Sequence, residues 1–386
     1  MKKITIITSK NKSKGGANVA ALRIADILKK KFHIKIVSPN KANLIDKVKY
    51  YFARVIIKIF IGKTKYLNSL NIFSRVDSKK INGDLLHLNW IGEETISLND
   101  IEKIDKPILW TLHDMWPVTS TEHFLNSPRK KSYSKKIAKK NLLKYFIYKK
   151  KKKIFKKNIN IITNSKWLEN FAKKSDLTKS LNIKTIYNPI DTKSWYRVGE
   201  NFAKKKLDLH LSKKYILFGA HGGFQNYRKG GDLFLESFSK LKNLNKEIEV
   251  IVLGGSQNQI KKINHVNFHF RKLELDNNIQ RLYHSVPILT VSSARAESLP
   301  QFIVETILCK NPVVAFNVGG INEIVFNKFN GYLSKCYDTD DFAKGIKYCI
   351  NNIKKNNLSK ARKIIYKNFN QKKILMEYEK FINKII

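Results

Sequence analysis

The stretch Ser293-Ala294-Arg295-Ala296-Glu297-Ser298-Leu299-Pro300-Gln301-Phe302-Ile303-Val304-Glu305 decides how the rest of the chain is read. Pro287-Ile288-Leu289-Thr290-Val291 runs into it with strand-forming residues. Phe302 to Cys309 leaves it with helical character, and Pro312-Val313-Val314-Ala315-Phe316 follows as a second strand. Strand, polar loop, helix and strand make one α/β unit. Pro300 suits the first helical turn, where a missing N–H costs nothing. Backbone N–H groups left free at that turn favour an anion above them. Were the interval from Glu297 to Glu305 helical throughout, its carboxylates would stand roughly 12 Å apart along the axis. That span suits gripping a long ligand at two points and not sharing one proton. Taken by itself, the stretch fits an ordinary crossover with two solvated acids equally well.

The alternation extends outward on both sides. Tyr215 to Ala220 reads as a strand, followed by His221-Gly222-Gly223-Phe224-Gln225-Asn226-Tyr227-Arg228-Lys229-Gly230-Gly231, a helix and the strand Ile248 to Gly254. Four glycines beside adjacent Arg228 and Lys229 suit a diphosphate, with a glycine-rich turn carrying surface cations as the alternative. Val318-Gly319-Gly320-Ile321-Asn322-Glu323 follows the second strand of the opening unit, and three helices close the chain. Near the start, Ile4 to Thr8 is a strand, Ser13-Lys14-Gly15-Gly16-Ala17-Asn18 a glycine loop and Val19 to Lys31 a helix. That order lets a backbone approach a phosphate or sugar, although Gly15-Gly16 also reads as a plain tight turn. G-x-G-x-x-G is absent, so this is not the dinucleotide fingerprint. The strand Pro107 to Leu112 ends in His113-Asp114-Met115-Trp116-Pro117. A histidine there sits where open α/β sheets bind ligands. A lone histidine is more often structural, and Asp114 is either its orienter or a loop residue.

At 386 residues and 42% hydrophobic, the chain has enough for two domains with cores. Three cysteines without C-x-x-C spacing exclude a disulfide framework and a cysteine zinc site, and fit a reducing cytosol. No apolar stretch approaches the roughly 20 residues of a membrane span. Lys plus Arg number 75 against 30 Asp plus Glu, a net charge of +45 that favours anionic partners. Two regions concentrate it. Ile45 to Leu67 reads as a basic amphipathic helix that lies either on a membrane surface or on the core with a solvated lysine face. Arg129 to Lys157 interleaves aromatics with Lys149-Lys150-Lys151-Lys152-Lys153, which suits an anionic bilayer. Nucleic acid could use the same lysines, but no RNA-binding module or zinc-finger spacing accompanies them. Asp338-Thr339-Asp340-Asp341 reads as helix capping and not as a metal clamp.

Assembled, both halves alternate strand and helix, which predicts two doubly wound domains facing one another across a cleft. The motif order resembles the GT-B type of glycosyltransferase, specifically the retaining family four (glycosyl transferases group 1). Glu297-x7-Glu305 with Gly319-Gly320-Ile321-Asn322-Glu323 carries that resemblance most specifically. Trp110-Thr111-Leu112-His113-Asp114-Met115-Trp116-Pro117, Ser165-Lys166-Trp167-Leu168 and Tyr187-Asn188-Pro189-Ile190-Asp191 are similar to a branch found in polysaccharide gene clusters, including colanic-acid-type enzymes. That branch continues with Gly-Gly-Cys-His where Ser120-Thr121-Glu122-His123 stands here, which leaves His123 without an inferred acceptor-side role.

The segment 192–214, with no clean period and several charges, reads as an interdomain linker; around it the resemblance implies an N-terminal acceptor-binding domain over residues 1–191 and a nucleotide-sugar-binding domain over 215–367. It also implies a C-terminal helix over 368–386 that crosses back to the first domain. Glu305 would grip the ribose hydroxyls, and Glu297 would stand near the transferred sugar. Backbone N–H groups around Ser298 and Leu299, with Arg228 and Lys229, would meet the diphosphate. Gly15 and Gly16 would close over it, His113 would touch the donor sugar, and Arg271 and Lys272 would lie near the base. The expected activity is metal-independent, configuration-retaining transfer from a UDP- or GDP-sugar, with no further cofactor. The acceptor would be a lipid-linked glycan of a bacterial surface polysaccharide, reached from the cytoplasmic side of the membrane. A basic nucleic-acid-binding α/β protein and a phosphorylase on the same fold are the competing readings.

Overall fold

A computed structural model describes residues 1–9, 15–39, 43–125, 132–219, 222–241, 247–255, 257–272 and 276–386. Ser13-Lys14 of the first glycine loop, Ala220 and His221 before the second, and the start of the basic block at Arg129 lie outside them. The chain divides into two units. Met1–Pro189 and Gln371–Ile386 form the first, and Ile190–Asn370 the second.

The strands of the first unit are β1 (Lys3–Ile7), β2 (His33–Val37), β3 (Leu85–Leu88), β4 (Ile108–Leu112), β5 (Ile159–Thr163) and β6 (Asn182–Thr185). Its helices are α1 (Gly16–Leu28), α2 (Leu44–Phe60), α3 (Leu98–Lys103), α4 (Lys135–Ala138), α5 (Leu142–Ile154) and α6 (Lys166–Lys174). Among the described residues the strands form one sheet in the order β2-β1-β3-β4-β5-β6, parallel at every pairing. Every residue of β3, β4 and β5 is buried, as the apolar runs of a sheet covered on both faces require. Ser165 caps α6, accepting from Leu168 N at 3.2 Å.

The second unit holds α7 (Glu200–Lys206), β7 (Lys214–Gly219), α8 (Gly231–Ser239), β8 (Ile248–Gly255), β9 (Gln259–Ile263), β10 (Val266–Lys272) and α9 (Asn277–Ser285). It continues with β11 (Leu289–Ser292), α10 (Gln301–Leu308), β12 (Val313–Phe316), β13 (Gly331–Ser334), α11 (Thr339–Asn352) and α12 (Lys355–Phe369). Among the described residues the strand order is β13-β12-β11-β7-β8-β10-β9, with only the β9–β10 pair antiparallel. Because β8 and β11 lie on opposite sides of β7, the topological switch point falls between β7 and β11. Open sheets bind ligands at such a point, outside the strands' carboxyl ends. The opening stretch of the sequence is the loop that follows β11.

The chain then returns. α13 (Gln371–Ile382) buries Ile374, Tyr378 and Ile382 against Ile4, Ile6, Ile24 and Leu85 in the core of the first unit. The sequence therefore folds as two Rossmann-like α/β units with a C-terminal helix that belongs to the first.

Three expectations are corrected. Residues 192–214 are not a free linker: Ala203 of α7 and Leu209 pack with Tyr215, Leu217, Ile251 and Leu253 in the core of the second unit. The basic helix expected over 45–67 ends at Phe60, and Tyr66 beyond it is buried. Lys149–Lys153 is not one basic surface. Lys151 is fully buried, with Nζ on the carbonyls of Trp116 and Thr119 and 3.4 Å from the centroid of the Trp116 ring. Burial holds its ammonium well below the usual lysine range, and Glu122 and Asp114 only partly restore it.

Three buried histidines set a pH dependence. Burial pushes His87 down to about 3, aided by His113; it pushes His113 to about 4 against the pull of Asp114, and His284 to about 3. Unfolded, each imidazole takes its proton near 6.5. Below about pH 6.5 the unfolded chain therefore binds protons that the folded chain refuses, so stability falls as pH falls toward the folded values. Each group contributes at most about 1.4 kcal/mol per pH unit. Thermal melts between pH 7 and pH 5, where ordinary carboxylates stay ionised, should show a steady decline; a flat profile would contradict the buried neutral imidazoles.

Candidate functional site

In the second unit, the loops after β7 and β11 are tied together at the switch point. Gly230 adopts φ 66, and a side chain there would overlap the Ser293 carbonyl. Ser293 Oγ donates to the Gly230 carbonyl at 2.6 Å, and Arg295 N donates to the Arg228 carbonyl at 2.8 Å. The Arg295 guanidinium stacks over Tyr227 at 4.1 Å and forks onto both oxygens of Asp232. These contacts hold Arg228 and Lys229 against the opening stretch.

Both cations converge on one carboxylate oxygen. Arg228 donates from a terminal guanidinium nitrogen to Glu297 Oε1 at 2.6 Å and to the Ala296 carbonyl at 3.0 Å. Lys229 Nζ reaches the same Oε1. Burial alone would raise the Glu297 carboxyl, but the charges and hydrogen bonds of Arg228 and Lys229 outweigh it and hold the group below the usual range. Burial lowers the Lys229 ammonium, and Arg228 adds to that despite Glu297. Two cations and one anion leave a net positive centre beside the switch point, suited to an anionic group.

Beneath this centre runs the turn after β12. Gly319 adopts φ 60, and a Cβ there would overlap the Glu297 carbonyl oxygen. Gly320 N donates to the Ser298 carbonyl at 2.7 Å. Pro300 is the extended N-cap of α10 and not a residue of its first turn, and Gln301 is the first helical residue, one before the Phe302 that opened the expected helical run. Glu297 and Glu305 are therefore not on one continuous helix. Ser298 and Leu299 are buried in the segment before it. Glu305 lies within α10 among buried Ile303, Val304, Thr306 and Ile307, 5% exposed and 4.0 Å from His284 Nε2. His284 donates or accepts at Nδ1 with Thr306 Oγ1 at 3.0 Å and packs on the Phe302 ring. Arg271 and Lys272 stand at the carboxyl end of β10, where the pairing with β8 shifts register.

The first unit holds the remaining candidates at the carboxyl edge of its own sheet. Gly15, at φ 99, is the N-cap of α1, and Gly16 opens that helix. His113 follows β4; its Nε2 meets Asn89 Oδ1 at 3.1 Å, while buried Nδ1 has no hydrogen-bond partner among the described residues. A neutral ring held that way offers Nδ1 as an acceptor. Asp114 does not orient His113. It accepts from His123 Nδ1 at 2.6 Å, Trp90 Nε1 at 2.6 Å and Trp116 N at 2.9 Å, while His123 Nε2 meets Ser69 Oγ at 2.8 Å. The sequence showed no signal for Asn89, Trp90 or Ser69, which join this network only through the sheet order. At the other end of the chain, Asp338 caps α11 through Asp341 N at 2.9 Å.

Comparison with known proteins bears on the fold and the family. Residues 200–368 match the family model described as glycosyl transferases group 1. An uncharacterized glycosyltransferase of Methanocaldococcus jannaschii is 28% identical over 261 residues, covering 64% of each chain. The chain thus spans just under two thirds of that relative's length. Among solved structures, sucrose-phosphate synthase of Thermosynechococcus elongatus superposes with a TM-score of 0.71 at 15% identity, covering 100% of this chain and 99% of that one. Anabaena HepE, solved in complex with UDP and glucose, superposes at 0.66 and 15% identity over 100% of both chains. By fold the chain is of the GT-B type, and its second unit carries the segment that matches the glycosyl transferases group 1 model.

Proposed function

We propose that the chain is a metal-independent glycosyltransferase that moves a sugar from a UDP- or GDP-sugar to a lipid-linked glycan, with retention of configuration. The convergence of Arg228 and Lys229 on Glu297 at the switch point carries this reading. The matched family model and the UDP-containing neighbour support it. As the glycosidic bond breaks, negative charge grows on the departing diphosphate. Two preplaced cations stabilise that charge without reorganising. The N-terminus of α10 and the backbone at Ser298 and Leu299 add donors. Glu305 accepts from the ribose hydroxyls, Arg271 and Lys272 lie toward the base, and Gly15 and Gly16 close over the diphosphate. His113 Nδ1 accepts from a donor-sugar hydroxyl, and Glu297 faces the reacting sugar. The acceptor hydroxyl attacks from the face the diphosphate leaves, which takes the proton, so no dedicated nucleophile is needed. The process served is bacterial surface-polysaccharide assembly on the cytoplasmic face of a membrane. Burial of Lys151 weakens the competing nucleic-acid reading, since the lysine run is not one accessible surface.

A panel of nucleotide sugars, assayed for nucleotide release and transfer, tests this. With the preferred donor, Glu305→Ala should raise KM at least tenfold with little change in kcat, the loss expected for a charged hydrogen-bond acceptor of about 1.5–3 kcal/mol. No release with any donor, or an unchanged KM, would remove the assignment.

A further inference from the structure

α2 is amphipathic in the inverted sense: it buries little and exposes its apolar side. Only Asp46, Ala53 and Ile57 of this helix are buried. Leu44, Val48, Tyr51, Phe52, Val55 and Ile59 are each between 49% and 72% exposed. At about 100° per residue these six fall within roughly 100° of one another, a single stripe along the helix. It runs for about 25 Å. Asn141 Nδ2 donates to the Phe60 carbonyl at 2.7 Å, which sets the start of α5 beside the end of α2. There Leu142, 86% exposed, and Phe146 extend the apolar surface. Exposed Lys47 and Lys58 flank the stripe on the Tyr51 side, and exposed Lys63 and Lys65 follow the helix. The one acid in α2, Asp46, points into the protein and lies 3.8 Å from Lys49.

We propose that α2 lies in the plane of an anionic bilayer surface, its stripe and the tip of α5 among the upper acyl chains and its flanking lysines among the headgroups. An apolar stripe edged by lysine is the chemistry of an interfacial helix, whose apolar face sinks about 5–10 Å. A contiguous exposed patch of this kind marks an interaction surface, unlike scattered exposed side chains. Charge selects the occupant. A second copy would bring +45 against +45, whereas an anionic layer attracts each nearby lysine with about 1 kcal/mol. Nucleic acid offers the stripe nothing apolar at its phosphates. No helix among the described residues is long and apolar enough to cross a membrane, so the helix lies on the surface.

This deepens the membrane part of the proposed function and rests on it. Co-sedimentation with vesicles of phosphatidylcholine alone and with one third phosphatidylglycerol provides the test. The protein should bind the anionic vesicles at least tenfold more tightly. Val48→Ser with Phe52→Ser and Val55→Ser should abolish most of that binding while leaving nucleotide-sugar binding unchanged, with at most a small drop in the thermal midpoint from the lost Phe52–Phe73 contact. Lys47→Gln with Lys58→Gln should weaken binding in a salt-dependent way. Equal binding to both vesicles, or undiminished binding by the serine variant, overturns the proposal. So does a dimer of the parent protein that the serine substitutions dissociate, since the stripe would then be a self-interface. Loss of donor binding in the parent protein would defeat the transferase reading and leave the vesicle result standing.

Discussion

Glu297→Gln should destabilise the ligand-free protein by about 2–3 kcal/mol and slow sugar transfer by about 100-fold, and a nucleoside diphosphate should reverse the first effect. The carboxylate is the shared partner of Arg228 and Lys229. Glutamine keeps the shape and removes the charge, so two close cations lose their counterion. Removing one member of a buried ion pair costs about 3–5 kcal/mol, reduced here because Arg228 is about a quarter exposed and partly screened. A bound diphosphate brings back negative charge at the same place. UDP or GDP should therefore raise the melting temperature of the variant more than that of the parent. The rate loss should appear in kcat, because Glu297 is assigned to the reacting sugar. Equal shifts in both proteins would mean that the anion binds elsewhere. A change in KM alone would exchange the roles of Glu297 and Glu305.

Gly319→Ala should lower kcat/KM by about 1,000-fold or more without touching any side chain of the site. The substituted residue would hold a left-handed conformation that costs about 1 kcal/mol for an L-residue. Its methyl would also overlap the Glu297 carbonyl oxygen, so the segment carrying Glu297 and Ser298 has to shift. A displacement of about 1 Å in a preorganised site is worth orders of magnitude in rate. Gly199→Ala is the control: its methyl would meet only Phe202 Cβ, at 3.9 Å. Comparable kinetics for the two variants would show that the turn after β12 does not hold the site.

The central strands were legible because strands buried on both faces are written as unbroken apolar runs. What escaped lacks that signature. Four of the five residues of β9 are exposed, and it pairs only with β10 at the edge of the sheet. β13 is short and opens on Gly331, where a side chain would overlap the Val313 carbonyl. Lys151 reads as surface because its neighbours in sequence are lysines, and its partners are carbonyls more than thirty residues away. At the candidate site, the residue types were legible and the pairing was not. Arg228 and Glu297 meet only because β7 and β11 are adjacent in the sheet, a fact no local pattern contains. The Asp114–His123–Ser69 network is hidden for the same reason.

The return of α13 to the first unit also orders events during synthesis. Domains made on a ribosome ordinarily fold in the sequence in which they emerge. Here the first unit lacks Ile374, Tyr378 and Ile382 from its core until everything between Ile190 and Asn370 has been made. The second unit, continuous in sequence, has all its strands before that helix exists. The half of the molecule translated second is thus the first able to close its core. Until α13 arrives, Ile4 and Ile6 of the sheet begun at Lys3 and Ile24 of α1 stand uncovered on that side, an interval in which a chaperone has something to hold.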